Sequence, residues 1–251
     1  MKVELISKSD IFPDDLCGKA AAICCDSEDD KKSLNIAIKN RHESILEHAN
    51  FTFKICSVSS VLLAQLTRHR FFSFSVRSER YCGGSKDYVI PQTIANNENA
   101  IKEFYNHLYL LENAYNRMIS LGIPKEDARY ILPKATTYDI IATANARELL
   151  RFFELRCCNR AQWEIRELAN AMRAILKVVS PVIFDNAGAY CERHGFCPEG
   201  KNSCGRAITY EDAKGVYYLL DHYVNEDEVA LHSRLDKMFN KYLKREVLNN
   251  G

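Results

Sequence analysis

Residues 51–81 read FTFKICSVSSVLLAQLTRHRFFSFSVRSERY, and this stretch decides the fold class. Phe51, Phe53 and Ile55 alternate with polar neighbours, which predicts a half-buried strand. Serines followed by an apolar stripe then predict a helix over 57–67. A strand that leads directly into a helix, within one short run of chain, favours a fold that mixes both element types.

The rest of the chain extends this mixed pattern. Residues 2–6 and 136–143 predict strands, because β-branched and aromatic residues dominate or alternate there. Apolar spacing of three and four residues predicts helices at 13–25, 31–41, 99–120, 146–157, 161–179 and 227–247. Since helices and strands do not alternate as strict βαβ units, the sequence predicts an α+β fold with one main domain. We place that domain at 1–190, followed at 191–251 by a Cys-containing turn region and a C-terminal helical extension.

Composition and charge exclude several classes of protein. Hydrophobic residues make up 47% of the 251 residues, which excludes a disordered chain. Lys and Arg number 34 against 33 Asp and Glu, a net charge of +1, so the global basic excess of a polynucleotide binder is missing. The longest apolar run, 20–25, is too short to span a bilayer, and the N-terminus has no signal-peptide pattern. We therefore expect a soluble, cytoplasmic protein with no membrane partner.

The chain has ten cysteines, which raises the question of disulfides or a metal site. Cys191, His194, Cys197 and Cys204 are residue types that bind zinc. Their spacing is not one of the strong paired patterns, however, and reduced cysteines often serve as small buried hydrophobic residues. The expectation is reduced cysteines and no metal, with a zinc site as the alternative.

The segment 68–81 carries the chemistry. It places four arginines and one histidine among aromatic residues and three serines. Arginine forks bind phosphate, hydroxyl groups add hydrogen bonds, and aromatic rings stack on bases or other rings. A solvated basic surface would not need the interleaved aromatic residues. The segment predicts a site for a phosphorylated, ring-containing ligand, with a nucleic-acid-binding module as one alternative.

Five blocks of this sequence resemble the flavin-dependent thymidylate synthase family. Arg68-His69-Arg70, seven residues and then Ser78 match its RHRx7S motif. The other blocks, in family order, are HESILEH at 42–48, RYILP at 129–133, NARELLRFFELR at 145–156 and AQWEIR at 161–166. The resemblance covers roughly residues 15 to 185 and implies the family fold, a mainly antiparallel central sheet with packed helices.

The resemblance also implies a reaction and its partners. The family methylates dUMP to dTMP, with 5,10-methylenetetrahydrofolate as carbon donor and NADPH as reductant through bound FAD. Its members are homotetramers whose active sites are shared between subunits, so we expect a homo-oligomer and no nucleic-acid partner. The long helix at 101–118 and the amphipathic C-terminal helix both offer apolar stripes to a neighbouring subunit.

Site residues follow from the matched positions. Arg156 corresponds to the arginine that promotes ionisation at N3 of the pyrimidine, and we predict it as the catalytic residue. The predicted substrate-binding residues are Gln65, Arg68, Val76, Arg77, Ser78, Glu79, Arg80, Arg129 and Arg156. The predicted FAD-binding residues are His42, Ser44, Glu47, Arg68, His69, Arg70, Val76, Asn145, Arg147 and Arg151.

Two departures and one missing motif refine this prediction. Val76 and Arg151 stand where the family often has a Glu and an Asn or His, so position 76 keeps only backbone contacts. Val76 leaves open a related enzyme that transfers a hydroxymethyl group to another pyrimidine nucleotide. The Pro-Cys-His of the cysteine-dependent thymidylate synthases does not occur, which favours electrostatic activation of the pyrimidine by an arginine. Ser78 has no adjacent general base, so we expect it to contact substrate.

Overall fold

The computed structural model describes residues 1–85 and 87–210. The chain divides into two compact units, Met1–Leu149 and Leu150–Gly251, and each is described by itself. The helix predicted at 227–247 lies outside the described residues, and the predicted domain division at residue 190 stays a prediction.

Four antiparallel strands form the sheet of the first unit. They are β1 (Lys2–Lys8), β2 (Asn50–Ser59), β3 (Ser73–Val76) and β4 (Thr137–Asn145), in the spatial order β1-β2-β4-β3. β2 pairs with β1 and with β4, and β4 also pairs with β3. Each of these neighbouring pairs is antiparallel. The predicted α+β class with a mainly antiparallel sheet is confirmed.

Helices account for most of the other described elements. They are α1 (Pro13–Cys25), α2 (Asp30–Lys39), α3 (Ser60–Leu66), α4 (Glu79–Cys82), α5 (Gln92–Ala95), α6 (Glu98–Ser120), α7 (Lys125–Ala128), α8 (Ala146–Arg156), α9 (Trp163–Val179), α10 (Pro181–Phe184) and α11 (Tyr190–His194). Short 3₁₀ helices lie at Glu43–His48, Arg129–Ile131 and Gly200–Asn202.

The junction between β2 and α3 differs from the prediction. The sequence predicts a helix from residue 57, but the strand continues to Ser59. A register shift between Ile55 and Val58 accommodates Ser57, which has a positive φ of 58° and donates its backbone N–H to Asp139 Oδ1 at 3.0 Å. The bulge keeps the strand paired, and the helix then begins where the Ser59 hydroxyl accepts the N–H of Leu62.

Each unit has its own buried apolar side chains. In the first unit, Phe51, Phe53 and Ile55 alternate inward along β2 and are at most 1% exposed. In the second unit, Phe153 and Phe184 meet edge to face with ring centroids 6.1 Å apart. Fully burying a side chain of this size contributes about 1.5–3 kcal/mol, so these positions anchor the two units.

Among the described residues, no helix is both long and apolar enough to cross a bilayer.

Candidate functional site

Arg80 lies on the short helix α4, at the C-terminal end of the segment 68–81. Its guanidinium forks onto the carboxylate of Glu126 at the start of α7, with Nε and Nη2 at 2.9 and 2.7 Å from Oε2. Lys125 Nζ donates to the carbonyl of Tyr81 at 2.9 Å and ties the same two helices together. These contacts fix the position of an arginine that the sequence assigned to substrate binding.

Arg129 also donates a hydrogen bond to Glu126. The Nε of Arg129 donates to the backbone carbonyl of Glu126 at 3.1 Å. Two predicted substrate-binding arginines, 49 positions apart by their residue numbers, are therefore gathered around Glu126. Sequence reasoning missed Glu126. Its position three residues before Arg129, within one helical turn, could have suggested that the two residues contact each other.

A carboxyl–phenol pair adjoins these arginines. Burial raises the pKa of Tyr138, and a hydrogen bond and the charge of Glu79 raise it further, whereas Arg129 opposes the shift. The Oε1 atom of Glu79 is buried and has no hydrogen-bond partner among the described residues. Glu79, predicted as a substrate contact, thus holds a buried carboxylate oxygen whose hydrogen-bonding capacity is unsatisfied. We call the group Glu79, Arg80, Glu126, Arg129 and Tyr138 the Glu126 cluster.

The remaining predicted substrate residues lie along the chain that leads to this cluster. Val76 is half-buried in the edge strand β3, where it pairs with Ile140 of β4. Arg77 is exposed, and its backbone N–H donates to the carbonyl of Asp139 at 3.1 Å. Ser78 directly precedes α4, and Gln65 lies in the last turn of α3. The edge strand therefore sets where the arginine-bearing helix begins.

A second cluster forms around Glu47. Arg147, at the start of α8, places Nη1 2.5 Å from Glu47 Oε1. The hydrogen bond to Glu47 is the main cause that raises the pKa of Arg147, which stays charged. The backbone helps, because the Ala146 N–H donates to the Ala49 carbonyl at 2.8 Å. Two predicted cofactor residues, 100 positions apart, are thus brought into contact.

The other predicted cofactor residues of the first unit are mostly accessible. His42 and Ser44 are exposed at the beginning of the 3₁₀ helix Glu43–His48. The side-chain oxygen of Asn145 accepts the Glu148 N–H at 2.9 Å and so helps to start α8. Its amide nitrogen is the part of the side chain left for a cofactor.

The Arg68–Arg70 triplet lies between α3 and β3. Arg68 and Arg70 are exposed, whereas His69 is partly buried with its ring 5.7 Å from that of Phe72. Phe71 is 75% exposed, which leaves an aromatic face beside the two guanidinium groups. The histidine therefore anchors the triplet while the arginines project outward.

Arg156, the predicted catalytic residue, ends α8 in the second unit. It is partly buried and lines a cavity of about 360 Å³. Arg151, five residues earlier on the same helix, is exposed. A guanidinium at a partly enclosed cavity is less screened by water than one on the surface, so its charge acts more strongly on a bound ring.

A carboxylate beside Arg156 organises the wall of this cavity. Glu154 Oε1 is 2.5 Å from Arg193 Nη1 and 2.8 Å from His194 Nε2. The His194 ring stacks on Tyr190, with centroids 4.0 Å apart. Sequence reasoning did not foresee this arrangement, in which α8 and α11 are joined through one carboxylate.

The donor set of the first unit suits a flavin dinucleotide. Exposed guanidinium groups of Arg68, Arg70 and Arg147 match a pyrophosphate, and Ser44 and His42 supply further hydrogen-bonding groups. For metals, no three His, Cys, Asp or Glu side chains within 1–85 and 87–210 are positioned to hold an ion as they stand.

Comparisons with known proteins agree on one family. The model of the thymidylate synthase complementing protein family matches residues 4–182. The chain is 46% identical over 169 residues to a flavin-dependent thymidylate synthase of Geobacter sulfurreducens, covering 66% of this chain and 72% of the relative. A protein of the same description from Nitratidesulfovibrio vulgaris is 44% identical and covers 71% and 78%, respectively. One from Pyrococcus furiosus is 40% identical and covers 69% and 75%. The predicted resemblance is confirmed, and the chain belongs to the flavin-dependent thymidylate synthase family of enzymes.

Proposed function

We propose that this enzyme methylates dUMP to dTMP, taking the carbon from 5,10-methylenetetrahydrofolate and the reducing equivalents from NADPH through FAD. The observation that carries the proposal is the Glu126 cluster, where Arg80 and Arg129 converge in a member of this family. Two guanidinium groups at one place provide the charge and the hydrogen-bond donors that a nucleotide phosphate requires.

Binding of the phosphate exchanges one anion for another. In the free protein Arg80 pairs with Glu126, and both side chains are about half exposed, at 51% and 47%. Exposed pairs of this kind contribute only about 0–1 kcal/mol, so a phosphate displaces the carboxylate at small cost. Ser78 adds a neutral hydroxyl, and Glu79 offers its unpartnered oxygen to a donor on the nucleotide.

Arg156 supplies the activation step. Methyl transfer requires C5 of the pyrimidine to act as a carbon nucleophile, and negative charge at N3 and the adjacent carbonyl oxygens raises electron density there. A permanently charged guanidinium stabilises that negative charge and forks onto neighbouring nitrogen and oxygen atoms. The partial burial of Arg156 in its cavity strengthens this effect.

His42, Ser44, Glu47, the Arg68–Arg70 triplet, Asn145, Arg147 and Arg151 would hold FAD. When bound, FAD supplies the redox chemistry that reduces the transferred carbon to a methyl group. The chain's own part is to neutralise the pyrophosphate with exposed arginines. The Arg147–Glu47 pair sets the position of one of these guanidinium groups before the cofactor arrives.

We also propose a homotetramer in which the Arg68–Arg70 triplet completes a site begun by another subunit. Helix α6 supports an interface, because Tyr105, Tyr109 and Leu110 are 55–67% exposed on it. If the site is shared, dilution to monomers releases FAD, which sedimentation with flavin absorbance detection measures. Stoichiometric flavin on a demonstrated monomer would contradict the shared site.

The direct test is product identification. Purified enzyme with dUMP, methylenetetrahydrofolate and NADPH should form dTMP, resolved by chromatography against authentic standards. Reactions with dCMP, and reactions without NADPH, serve as controls and should give no methylated product. A hydroxymethylated nucleotide as the main product would instead support the related one-carbon transferase.

A further inference from the structure

Four thiols line the cavity of the second unit. They belong to Cys158, Cys191, Cys197 and Cys204, and all four are free cysteines in the structure. The chain has ten cysteines, so nearly half of them meet in a single cavity. Reduced cysteines used only as packing residues have no reason to gather in this way.

The thiols come from two segments of chain. Cys158 is the second residue after the end of α8, whereas the other three lie in a turn region at 191–210. That region reverses direction at Gly195 and Gly205, whose φ angles of 79° and 84° suit glycine. Its longest-range backbone contact is the bridge at Cys197, which donates its N–H to Ile208 and accepts one from Tyr210.

The turn region has few buried side chains, and its main apolar contacts are those of Phe196 with Tyr190 and Tyr210. Among residues 191–210, Cys197 is the one buried residue, and the others are partly or fully exposed. Small turn-rich segments that bury so little apolar surface generally depend on a metal ion or disulfides for stability.

We propose that Cys158, Cys191, Cys197 and Cys204 bind one zinc ion as a structural four-thiolate site that fastens the turn region 191–210 to the end of α8. Zinc prefers tetrahedral coordination and soft sulfur ligands, and four cysteines without an open position are typical of structural sites. The methylation chemistry does not pass through this ion, and the inference stands independently of the proposed function.

The structure changes the ligand set that the spacing suggested. His194 does not line the cavity, because its Nε2 is engaged by Glu154 at 2.8 Å and its ring stacks on Tyr190. Cys158 takes the fourth place instead. It is 33 residues before Cys191 by residue number, so the local spacing of the turn region could not reveal it.

Charged side chains beside the thiols bear on the proposed ion. Zinc binding releases the protons of cysteine thiols, and the ion stabilises the thiolates that result. Arg160 and Arg206 also line the cavity and offset part of the negative charge of a four-thiolate site, to which the carboxylates of Glu154 and Glu199 add.

The thiols must draw together when the ion binds, because no three of them stand at coordinating distance in this structure, within the part of the chain it describes. The proposal therefore predicts a change in thiol accessibility with zinc. Without zinc, the four cavity thiols should react with an alkylating reagent. With zinc bound, the same four sulfurs should be protected from it.

Metal analysis of the full chain is the first experiment. Protein expressed with added zinc and purified without chelator should contain about one zinc per chain. Cys158→Ser, Cys191→Ser, Cys197→Ser and Cys204→Ser should each lose most of it. His194→Asn and the exposed Cys24→Ser serve as matched controls and should keep it. Zinc-free wild-type protein, or iron with acid-labile sulfide in its place, would overturn the proposal.

Thiol alkylation with peptide mass spectrometry covers the case in which a variant fails to fold. On wild-type protein, a chelator should raise labelling of the four cavity cysteines at least severalfold and leave Cys24 and Cys25 unchanged. Added zinc should reverse the effect. Labelling that is equal with and without chelator would contradict a bound ion, and protection that excludes Cys158 would contradict the four-residue ligand set.

Discussion

The two units hold their charged side chains in different ways. In the first unit, the Arg80–Glu126 and Arg147–Glu47 pairs lie about half exposed, with side-chain exposures of 47–51%. In the second unit, the Arg193–Glu154 pair is only 15% and 17% exposed, and His194 shares the same carboxylate. The exposed pairs of the first unit can exchange their carboxylate for an anionic ligand. The shielded pairs of the second unit hold the side chains around its cavity in place.

Physical chemistry explains this difference. Water screens an exposed ion pair, so a phosphate that brings more charge replaces its carboxylate readily. A shielded carboxylate with two donors cannot be removed without leaving those donors unsatisfied. We infer that the first unit binds ligands through exchangeable pairs, while the second keeps Arg156 in a rigid, partly enclosed setting.

The largest expected effect is that of Arg156→Ala on the chemical step. Loss of one preorganised charged donor should slow methyl transfer about 10²–10³-fold, equivalent to roughly 3–4 kcal/mol, with flavin still bound. Arg156→Lys should restore only part of the rate, because an ammonium group cannot fork onto two atoms. Single-turnover kinetics monitor the step.

Ser78→Ala is the matched variant in the first unit. It removes a neutral hydroxyl and should mainly raise the KM for dUMP, with measurable turnover at saturating substrate. If Ser78→Ala abolished turnover with dUMP still bound while Arg156→Ala stayed active, the division between a binding unit and a catalytic arginine would be wrong.

Next in size is the stability effect of Glu154→Gln. The neutral amide keeps an acceptor oxygen but loses the charge that strengthens the contacts with Arg193 and His194, so the free energy of unfolding should fall by about 2–3 kcal/mol. Glu47→Gln removes the exposed ion pair with Arg147 and should lower the free energy of unfolding by less than about 1 kcal/mol. Urea denaturation of both variants measures the contrast, and equal losses would remove the distinction between the two kinds of pair.

Alkaline pH tests one buried thiol in each unit. Burial raises the pKa of Cys17 in the first unit and of Cys157 in the second to about 11. Because the unfolded thiol loses its proton at lower pH than the folded one, stability falls as pH rises from about 9 to 11 and levels off above.

Cys17→Ala and Cys157→Ala should each reduce this alkaline loss by up to about 2 kcal/mol. Stability curves at several pH values test the change in slope, separately from any cavity effect that is constant with pH. Cys24→Ala is the exposed control and should leave the slope unchanged. A wild-type slope in all three variants would show that these thiols do not titrate as buried groups.

The smallest expected effect is that of Glu126→Gln on substrate binding. Neutralising the carboxylate frees Arg80, so the KM for dUMP should fall by up to about fivefold, with little change in kcat. Higher salt should shrink the difference between variant and wild type. A raised KM would mean that Glu126 positions Arg80 for the phosphate instead of competing with it.

Local patterns in the sequence determined the element types and the family. Alternation over 51–56 and the three- and four-residue spacing over 99–120 gave a strand and a long helix, since such periodicity reports which face is buried. The helix start at 57 was wrong because the bulge at Ser57 depends on Asp139, 82 positions away. A window of neighbouring residues contains no information about that partner.

The sequence by itself, through its motifs, identified the arginines of the site and left their partners unknown. Only the tertiary structure joined Arg80 and Arg129 at Glu126, paired Glu47 with Arg147, and brought Cys158 to the cavity that three later cysteines line. These contacts span up to 100 positions and depend on strand register and on where each helix ends. Residue type predicts what a side chain can bind, but the folded chain decides which groups it meets.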